Sequence, residues 1–404
     1  MSFYPYHISH LHLNSDQVVP PELANNAAYV VIWWKEIAIG ELFIEQGKTF
    51  SSKEYYYLVI DAIKATVDQY AEKQEFKAGQ YNLNALHKTF AAFTDLALPS
   101  SVDVSVVICT RDRPQYVQKC LESLSQIACA PKEIIVVDNA PRNDDTKNVV
   151  SKFPNVIYYK EPRGGLDIAR NSGIAQATSP IVAFVDDDVT VHPHCFYWTW
   201  KSFEDSSVGA MTGLVLAAEL QTEAQYIFEK EWRFNRGYQD KIYDSNFFNS
   251  TLSYGPPVWQ IGAGANMAFR KSIFKQTGNF DERLDVGAAG CNGDSELWFR
   301  ILANGFSIAY NPRAVVEHEH RKEMKGLKKQ LFNYMRGFTV AALIQQQFRK
   351  DAGYKRHLFL RLPKWYLKEL GKGFPKYRLR YATIFSEIRG MFSGLLFYSK
   401  HKKS

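Results

Sequence analysis

Cysteine is scarce and cannot be fully paired: the 404 residues hold five, at Cys109, Cys120, Cys129, Cys195 and Cys291, widely spaced and without a CxxC pair. This excludes a disulfide framework and a zinc site of the usual spacing, and it fits a reducing, cytoplasmic setting. Long apolar runs are also missing. No stretch of about 18 apolar residues is available to span a bilayer, and a secretory pattern is lacking because Tyr4, His7, His10 and His12 break up the N-terminus. The expectation is a protein that does not cross a membrane. Acidic residues are rare at one end only. Residues 321–404 carry 21 Lys and Arg against four Asp and Glu, a charge of +17, which leaves −10 of the net +7 for residues 1–320. Such asymmetry predicts that the tail, not the body, meets a polyanionic surface.

What is present supports a large core. With 46% hydrophobic residues the chain has enough apolar surface for two or three structural regions. Residues 1–100 read as an α+β extension. It has an irregular start, a hairpin from YVVIWW (29–34) through a turn at 35–40 to a strand at 41–45, and a helix over 53–72. Nothing in this extension has catalytic chemistry; Trp33 and Trp34 could stack on a sugar, but core or interface is the ordinary use of such a pair.

From Val102 the pattern changes to alternating strands and helices. Strands are expected at 102–109, 133–137, 156–159 and 181–185, with helices from Pro114, over 144–153 and over 166–177. This βαβαβαβ order predicts an α/β region, 101–320, built on a mostly parallel sheet flanked by helices. Three strand ends, 109–112, 138–139 and 186–188, then share one edge, the edge where open α/β sheets bind ligands.

The element at the centre of that reading is PIVAFVDDDV (180–189), a buried-type strand followed by Asp186, Asp187 and Asp188. Adjacent carboxylates repel unless something positive neutralises them, and a hard divalent cation, Mg2+ or Mn2+, suits oxygen ligands and bridges to phosphate. A solvated acidic turn capping the next helix is the plain alternative. Gly164 and Gly165 before a helix allow close backbone approach by an anion, with Arg170 as a fixed cation, but they are equally a tight turn with a surface ion pair. Asp294 precedes a helical run, 296–303, where an N-cap is its simplest use. His318 and His320 alternate as on one face of a strand, the usual mark of a solvated polar edge.

The ordered set VSVVICTRDRP (104–114), VVDNAP (136–141), RGGLDIARNSGI (163–174), FVDDDV (184–189), GAGANMAFRK (262–271) and NGDSELWFRILANG (292–305) resembles the family 2 glycosyltransferases, which have the Rossmann-like GT-A fold. The resemblance spans about 102–320 and implies an inverting, nucleotide-sugar-dependent transferase. It places Thr110, Arg111 and Asp112 along the nucleotide pocket, with Asp138 facing the base, where a carboxylate can accept from a uracil or thymine N–H. Arg111 and Asp112 stand where many relatives have Tyr and Asn. The triplet matches the DxD motif, which implies Asp186 and Asp187 toward ribose or metal and Asp188 as a direct metal ligand. His318, with His320 close behind, matches the histidine that completes such metal sites. Asp294 matches the general base of the ED motif, although Gly293 replaces the preceding Glu; Glu296 is the fallback base. Gly262, Gly264 and Asn266, beside Trp259, would form the acceptor-side loop.

The tail, 321–404, mixes cations with Trp, Tyr, Phe and Leu, as in HLFLRLPKWYLKEL (357–370). Basic amphipathic helices of this kind lie in the interface of anionic membranes; the alternatives are nucleic-acid binding and a helical subdomain packed on the core. The sequence therefore predicts a peripheral enzyme of polysaccharide biosynthesis at the inner face of the cell membrane. It would take a UDP- or dTDP-linked sugar, with Mn2+ or Mg2+ as cofactor, and a glycan or lipid-linked acceptor, and would bind no nucleic acid. The rivals are a nucleotidyltransferase acting on a sugar phosphate and a non-catalytic nucleotide-sugar-binding protein.

Overall fold

The structure, a computed structural model, describes residues 3–13, 27–73 and 81–401. The N-terminal unit is a three-stranded sheet, β1 (Tyr6–His12), β2 (Ala27–Trp34) and β3 (Ile37–Ile44), backed by α1 (Ser52–Lys73) and α2 (Leu83–Thr94). β2 is buried on both faces, which explains its unbroken apolar run. Val30, Ile32 and Trp34 meet Tyr55, Val59, Ile63 and Phe90 of the helices. Tyr29, Val31 and Trp33 meet Leu214, Leu216 and Val315 of the main domain, so Trp33 and Trp34 are core residues.

Two expectations for this unit are corrected. Within the stretch expected to be irregular, Tyr6–His12 is a strand that pairs in parallel with β2; His7, Ser9, His10 and His12 interrupt its apolar residues, so no regular alternation marks it. The turn after β2 is two residues, Lys35 and Glu36, because Lys35 takes a left-handed conformation (φ 49°) that closes a tight hairpin.

The main domain follows with β4 (Ser101–Thr110), α3 (Pro114–Leu124), β5 (Ala130–Asn139), α4 (Asp145–Val150), β6 (Val156–Glu161), α5 (Leu166–Gln176) and β7 (Ile181–Asp186). It continues through β8 (Val189–Val191), α6 (Cys195–Lys201), β9 (Val208–Ala217), α7 (Glu223–Glu231), β10 (Lys241–Tyr243), α8 (Ser245–Thr251), β11 (Asn266–Arg270), α9 (Phe274–Thr277), α10 (Gly293–Ala303) and β12 (Ser307–His318). The sheet order is β10-β12-β9-β11-β7-β4-β5-β6, with β8 paired to β12. β4, β5, β6, β7, β9 and β12 run one way, and only β8, β10 and β11 oppose a neighbour, so the α/β, mostly parallel class expected from the pattern holds. Alternation along β4 divides its side chains between two cores. Val104, Val106 and Ile108 face α3 through Val117, Cys120 and Leu121, while Val107 faces α5 through Ala169 and Ile174.

The C-terminal region is helical: α11 (Met324–Phe348), α12 (Tyr354–Arg356), α13 (Leu362–Gly373) and α14 (Ile384–His401). α11 is packed into the body, with Leu327, Leu331, Met335 and Val340 buried. α14 lies close against it because Gly390 and Gly394 leave no side chain where the carbonyls of Phe332 and Arg336 approach. Buried Glu387 joins Arg380, Thr383 and Tyr366 by hydrogen bonds. Beyond α11 the outer surface is unusually apolar. Of seventeen large hydrophobic residues exposed among the described residues, ten lie between Phe348 and Leu396, including Trp365, Leu367, Phe374 and Phe392.

Candidate active site

Asp186 ends β7, and Asp187 and Asp188 form the turn into β8. β8 then pairs antiparallel with the end of β12, setting Val189 opposite His318, and Glu319 N–H donates to the Asp188 carbonyl at 3.0 Å. This register brings the two chemistries together. His318 Nε2 lies 3.2 Å from Asp188 Oδ1, and Asp186, Asp188 and His318 each offer a ligand atom, all within 4.8 Å of one another. Two carboxylate oxygens and one imidazole nitrogen are a donor set suited to a divalent cation of the Mn2+ or Mg2+ kind. His318 and His320 are buried, not on a solvated edge.

Arg113, which motif reading missed, supplies the nearest positive charge. Its guanidinium pairs with Asp187 and, at 2.8 Å, with Asp188 Oδ2, and it stacks 4.0 Å above the Tyr116 ring. Thr110 Oγ1 donates to Asp187 Oδ2 at 2.6 Å, so Asp187 is fully engaged by protein groups while Asp186 and Asp188 are left to face His318. Burial raises Asp187 to about 7 despite Arg113. Burial and then the Asp188 charge raise Asp186. For Asp188, burial is outweighed by His318 and Arg113, which hold it well below the usual carboxylate range. His318 moves the other way: burial would lower it, but Asp188 and then Asp186 raise it. A cavity of about 260 Å³ is lined by Arg113, Tyr116, Glu319, His320, Arg321, Lys322, Glu323 and Gly326, and reaches the triplet through Arg113.

The expected nucleotide side assembles from three segments. Arg111 lies over Gly164, 3.4 Å from where a Cβ there would stand. Asp112 takes a left-handed conformation (φ 54°) and accepts from Arg142 N–H at 3.1 Å. Asp138 is completely buried at the end of β5; Tyr158 donates to Oδ2 at 2.9 Å, Oδ1 has no protein partner, and burial raises its pKa. The Gly164–Gly165 turn is held by protein: Asn139 Oδ1 accepts from Gly165 N–H at 2.9 Å, and the Val286 carbonyl accepts from Leu166 N–H at 2.9 Å. Those two N–H groups are therefore engaged within the protein.

Arg170 is also not a free cation. It is buried, and its Nη1 donates to Asp167 Oδ1 at 2.9 Å and Asp285 Oδ2 at 2.7 Å. Asp294 completes this second acidic group. A Cβ on Gly264 would lie 2.9 Å from Arg170 Nη2 and 3.2 Å from Asp294 Oδ2, so a side chain at 264 would crowd both groups. Asp294 is not the N-cap. α10 starts one residue earlier, after a left-handed Asn292, and Asp294 Oδ1 accepts from Ser295 N–H at 2.6 Å within the first turn. Burial raises its pKa, opposed by Arg170 and reinforced by Asp285, the direction that suits a proton acceptor at neutral pH. Glu296 is held by Arg300 at 2.6–2.9 Å and almost fully buried, which makes it a structural residue. Asn266 is structural too, donating to the Leu214 and Ala314 carbonyls across the sheet. Trp259 packs against Phe338 and His357.

Residues 105–278 match the family model described as Glycosyl transferase family 2. The chain is 25% identical over 229 residues to the pre-mycofactocin glycosyltransferase of Mycobacterium tuberculosis, covering 56% of this chain and 45% of that protein. It is 26% identical over 235 residues to glycosyltransferase AglE of Haloferax volcanii, covering 56% of this chain and 70% of the relative. The chain thus spans less than half of the mycobacterial relative's length. Among solved structures, the mannosyltransferase PcManGT from Pyrobaculum calidifontis, in complex with GDP-Man and Mn2+, is similar with a TM-score of 0.49 at 16% identity, covering 72% of this chain and 87% of that one. The family match runs from β4 to the end of α9 and contains Thr110, Asp138, Gly165 and the whole aspartate triplet, so this stretch of the chain is similar to glycosyl transferase family 2.

Proposed function

We propose that this chain transfers a sugar from a nucleotide-sugar donor, UDP- or dTDP-linked, to a hydroxyl of a glycan or lipid-linked acceptor, with inversion at the anomeric carbon. The observation that carries the reading is the convergence of Asp186, Asp188 and His318, three ligand atoms within 4.8 Å at the ligand-binding edge of the sheet. These residues would hold Mn2+ or Mg2+, which when bound supplies positive charge opposite the departing diphosphate. Arg113 keeps the triplet compensated, and Thr110 fixes Asp187 so that its neighbours face inward. Arg111, Asp112 and the unpartnered Oδ1 of Asp138 line the nucleotide side.

Asp294 Oδ2, beside Gly264 and Arg170, receives the acceptor hydroxyl proton. The bond from acceptor oxygen to anomeric carbon forms as the bond to the phosphate oxygen breaks. The nucleoside diphosphate leaves with that electron pair, and no covalent enzyme intermediate is needed. Arg170, Asp167 and Asp285 act by holding this pocket in shape.

The tail docks on an anionic membrane surface. Its cations are interleaved with exposed Trp365, Leu367, Phe374 and Phe392, a surface that fits a lipid interface better than nucleic acid. No helix among the described residues is long and apolar enough to cross a membrane. In this reading the basic, apolar tail holds the enzyme at the inner face of the cell membrane, in polysaccharide or glycolipid assembly. Thermal-shift screening of nucleotide sugars with and without Mn2+ tests the donor assignment, since a ligand that binds only the folded state raises its stability. A metal-dependent shift with one nucleotide-sugar class supports it; no shift with any class counts against it.

A further inference from the structure

Behind His318 runs a line of buried polar groups that sugar transfer does not use. His318 Nδ1 lies 3.0 Å from His320 Nδ1, and His320 Nε2 lies 2.9 Å from Glu229 Oε2. His318, His320 and Glu229 are all buried, with exposures of 7%, 4% and 1%. Phe228 packs on His320 and Phe234 packs edge-on to both imidazoles, which holds the rings in place. The opposite nitrogen of His318, Nε2, faces Asp188. Glu229 is fixed by α7, whose start is closed by a Thr222–Gln225 capping box, and Gln225 Nε2 also reaches the His320 carbonyl at 3.3 Å.

A neutral imidazole has one N–H and one lone pair, so contacts made in series are coupled. For His318 to present the Nε2 lone pair to a cation, its proton must sit on Nδ1, and that N–H needs an acceptor. His320 Nδ1 accepts only when His320 carries its own proton on Nε2, and that N–H needs an acceptor in turn. Glu229 is the one in place. We propose that Glu229, acting through His320, is a positioning residue of the metal site: it holds His318 in the tautomer that offers Nε2 to the divalent cation. This rests on the metal reading of Asp186, Asp188 and His318. Without a cation the same contacts can run in reverse from a protonated Glu229, whose carboxyl burial and then Glu41 push up to about 8, so the line stays paired in either sense. Glu41 belongs to a separate set, accepting from Tyr29, Arg233, Asn235 and Tyr238.

The test is calorimetric titration of the full-length protein with Mn2+ alone. Partners of ligating histidines typically contribute about 10- to 100-fold in metal affinity, so Glu229→Leu should bind Mn2+ weaker by that factor. Glu229→Gln, which still accepts one hydrogen bond, should recover part of the loss. Asp188→Ala should abolish binding. Wild-type affinity in both Glu229 variants, with binding lost in Asp188→Ala, overturns the positioning role alone. Undiminished binding in Asp188→Ala, or none in the wild type, overturns the metal reading and the inference with it.

Discussion

Gly293 leaves its side-chain position to Asp167: a Cβ built on Gly293 would overlap the Asp167 carboxylate, whose Oδ2 has no other protein partner. The start of α10 and the first turn of α5 can meet at this distance only because residue 293 has no side chain. The departure from the family pattern at Gly293 is therefore coupled to a carboxylate delivered from another segment, next to Asp294.

Restoring the family residue should for that reason do harm. Gly293→Glu is expected to displace Asp167, disturb its bond to Arg170 and lower both melting temperature and turnover. Combining it with Asp167→Gly should recover part of each, because the two sites share one space. Additive losses in the double variant would show that the two positions do not compensate.

Two carboxylates on α10 should separate by phenotype. Asp294→Asn is expected to lower turnover by about 10²-fold or more while donor affinity stays near wild type. Glu296→Gln leaves Arg300 without its charge partner in a buried site, so it should cost about 3 kcal/mol or more of stability, with turnover retained in the folded fraction. Kinetics and denaturant unfolding of both variants check this; full turnover in Asp294→Asn removes it as the base.

Glu161 gives a pH signature. Hydrogen bonds from Arg163, which outweigh its burial, together with Ser172, lower its carboxyl from 4.5 to about 2 in the folded protein. A depressed carboxylate binds fewer protons folded than unfolded, so its stabilisation is present above about pH 4.5 and is lost as pH falls toward 2. Glu161→Gln should therefore be less stable than wild type at pH 7 and nearly equal to it at pH 2. A constant difference across that range would contradict the assignment.

The tail is best tested without truncation, since α11 is part of the body and its removal would expose Ile227, Phe228 and Leu284, which pack against its Leu327, Leu331 and Val340. Placing carboxylates at exposed Leu367 and Phe392 leaves the core alone. The account expects full-length protein to sediment with acidic vesicles, less so as salt screens the attraction, and the Leu367→Glu, Phe392→Glu variant to remain in the supernatant. Equal recovery of both from neutral and acidic vesicles would reject membrane docking, and salt-sensitive oligonucleotide binding would favour nucleic acid.

The parts legible in the sequence were those written in local period. The apolar run ending at Val185 announced a buried strand, and the triplet after it had to lie at the sheet edge. The pairing of His318 with Asp188 was expected from resemblance, but its cause, β8 folding back on β12, was invisible because β8 is three residues long. Asp167 was readable in principle, one helical turn before Arg170. Asp285 was not: it reaches Arg170 from an irregular loop through a left-handed backbone (φ 61°). Glu229 looks like any charged residue of a surface helix, and only the long-range approach of His320 gives it a role. Arg113 was hidden inside a motif read for its neighbours.

The central claim is that Asp186, Asp188 and His318 serve metal-dependent transfer from a nucleotide sugar. The most direct measurement is the nucleotide product released by full-length protein from UDP-, dTDP- and GDP-sugars with Mn2+ or with chelator, in the presence of candidate hydroxyl acceptors. The account predicts nucleoside diphosphate from one donor class, with Mn2+ only, and none from Asp188→Ala. Pyrophosphate release from a nucleoside triphosphate and a sugar phosphate, or diphosphate release unaffected by chelator and by Asp188→Ala, would contradict it.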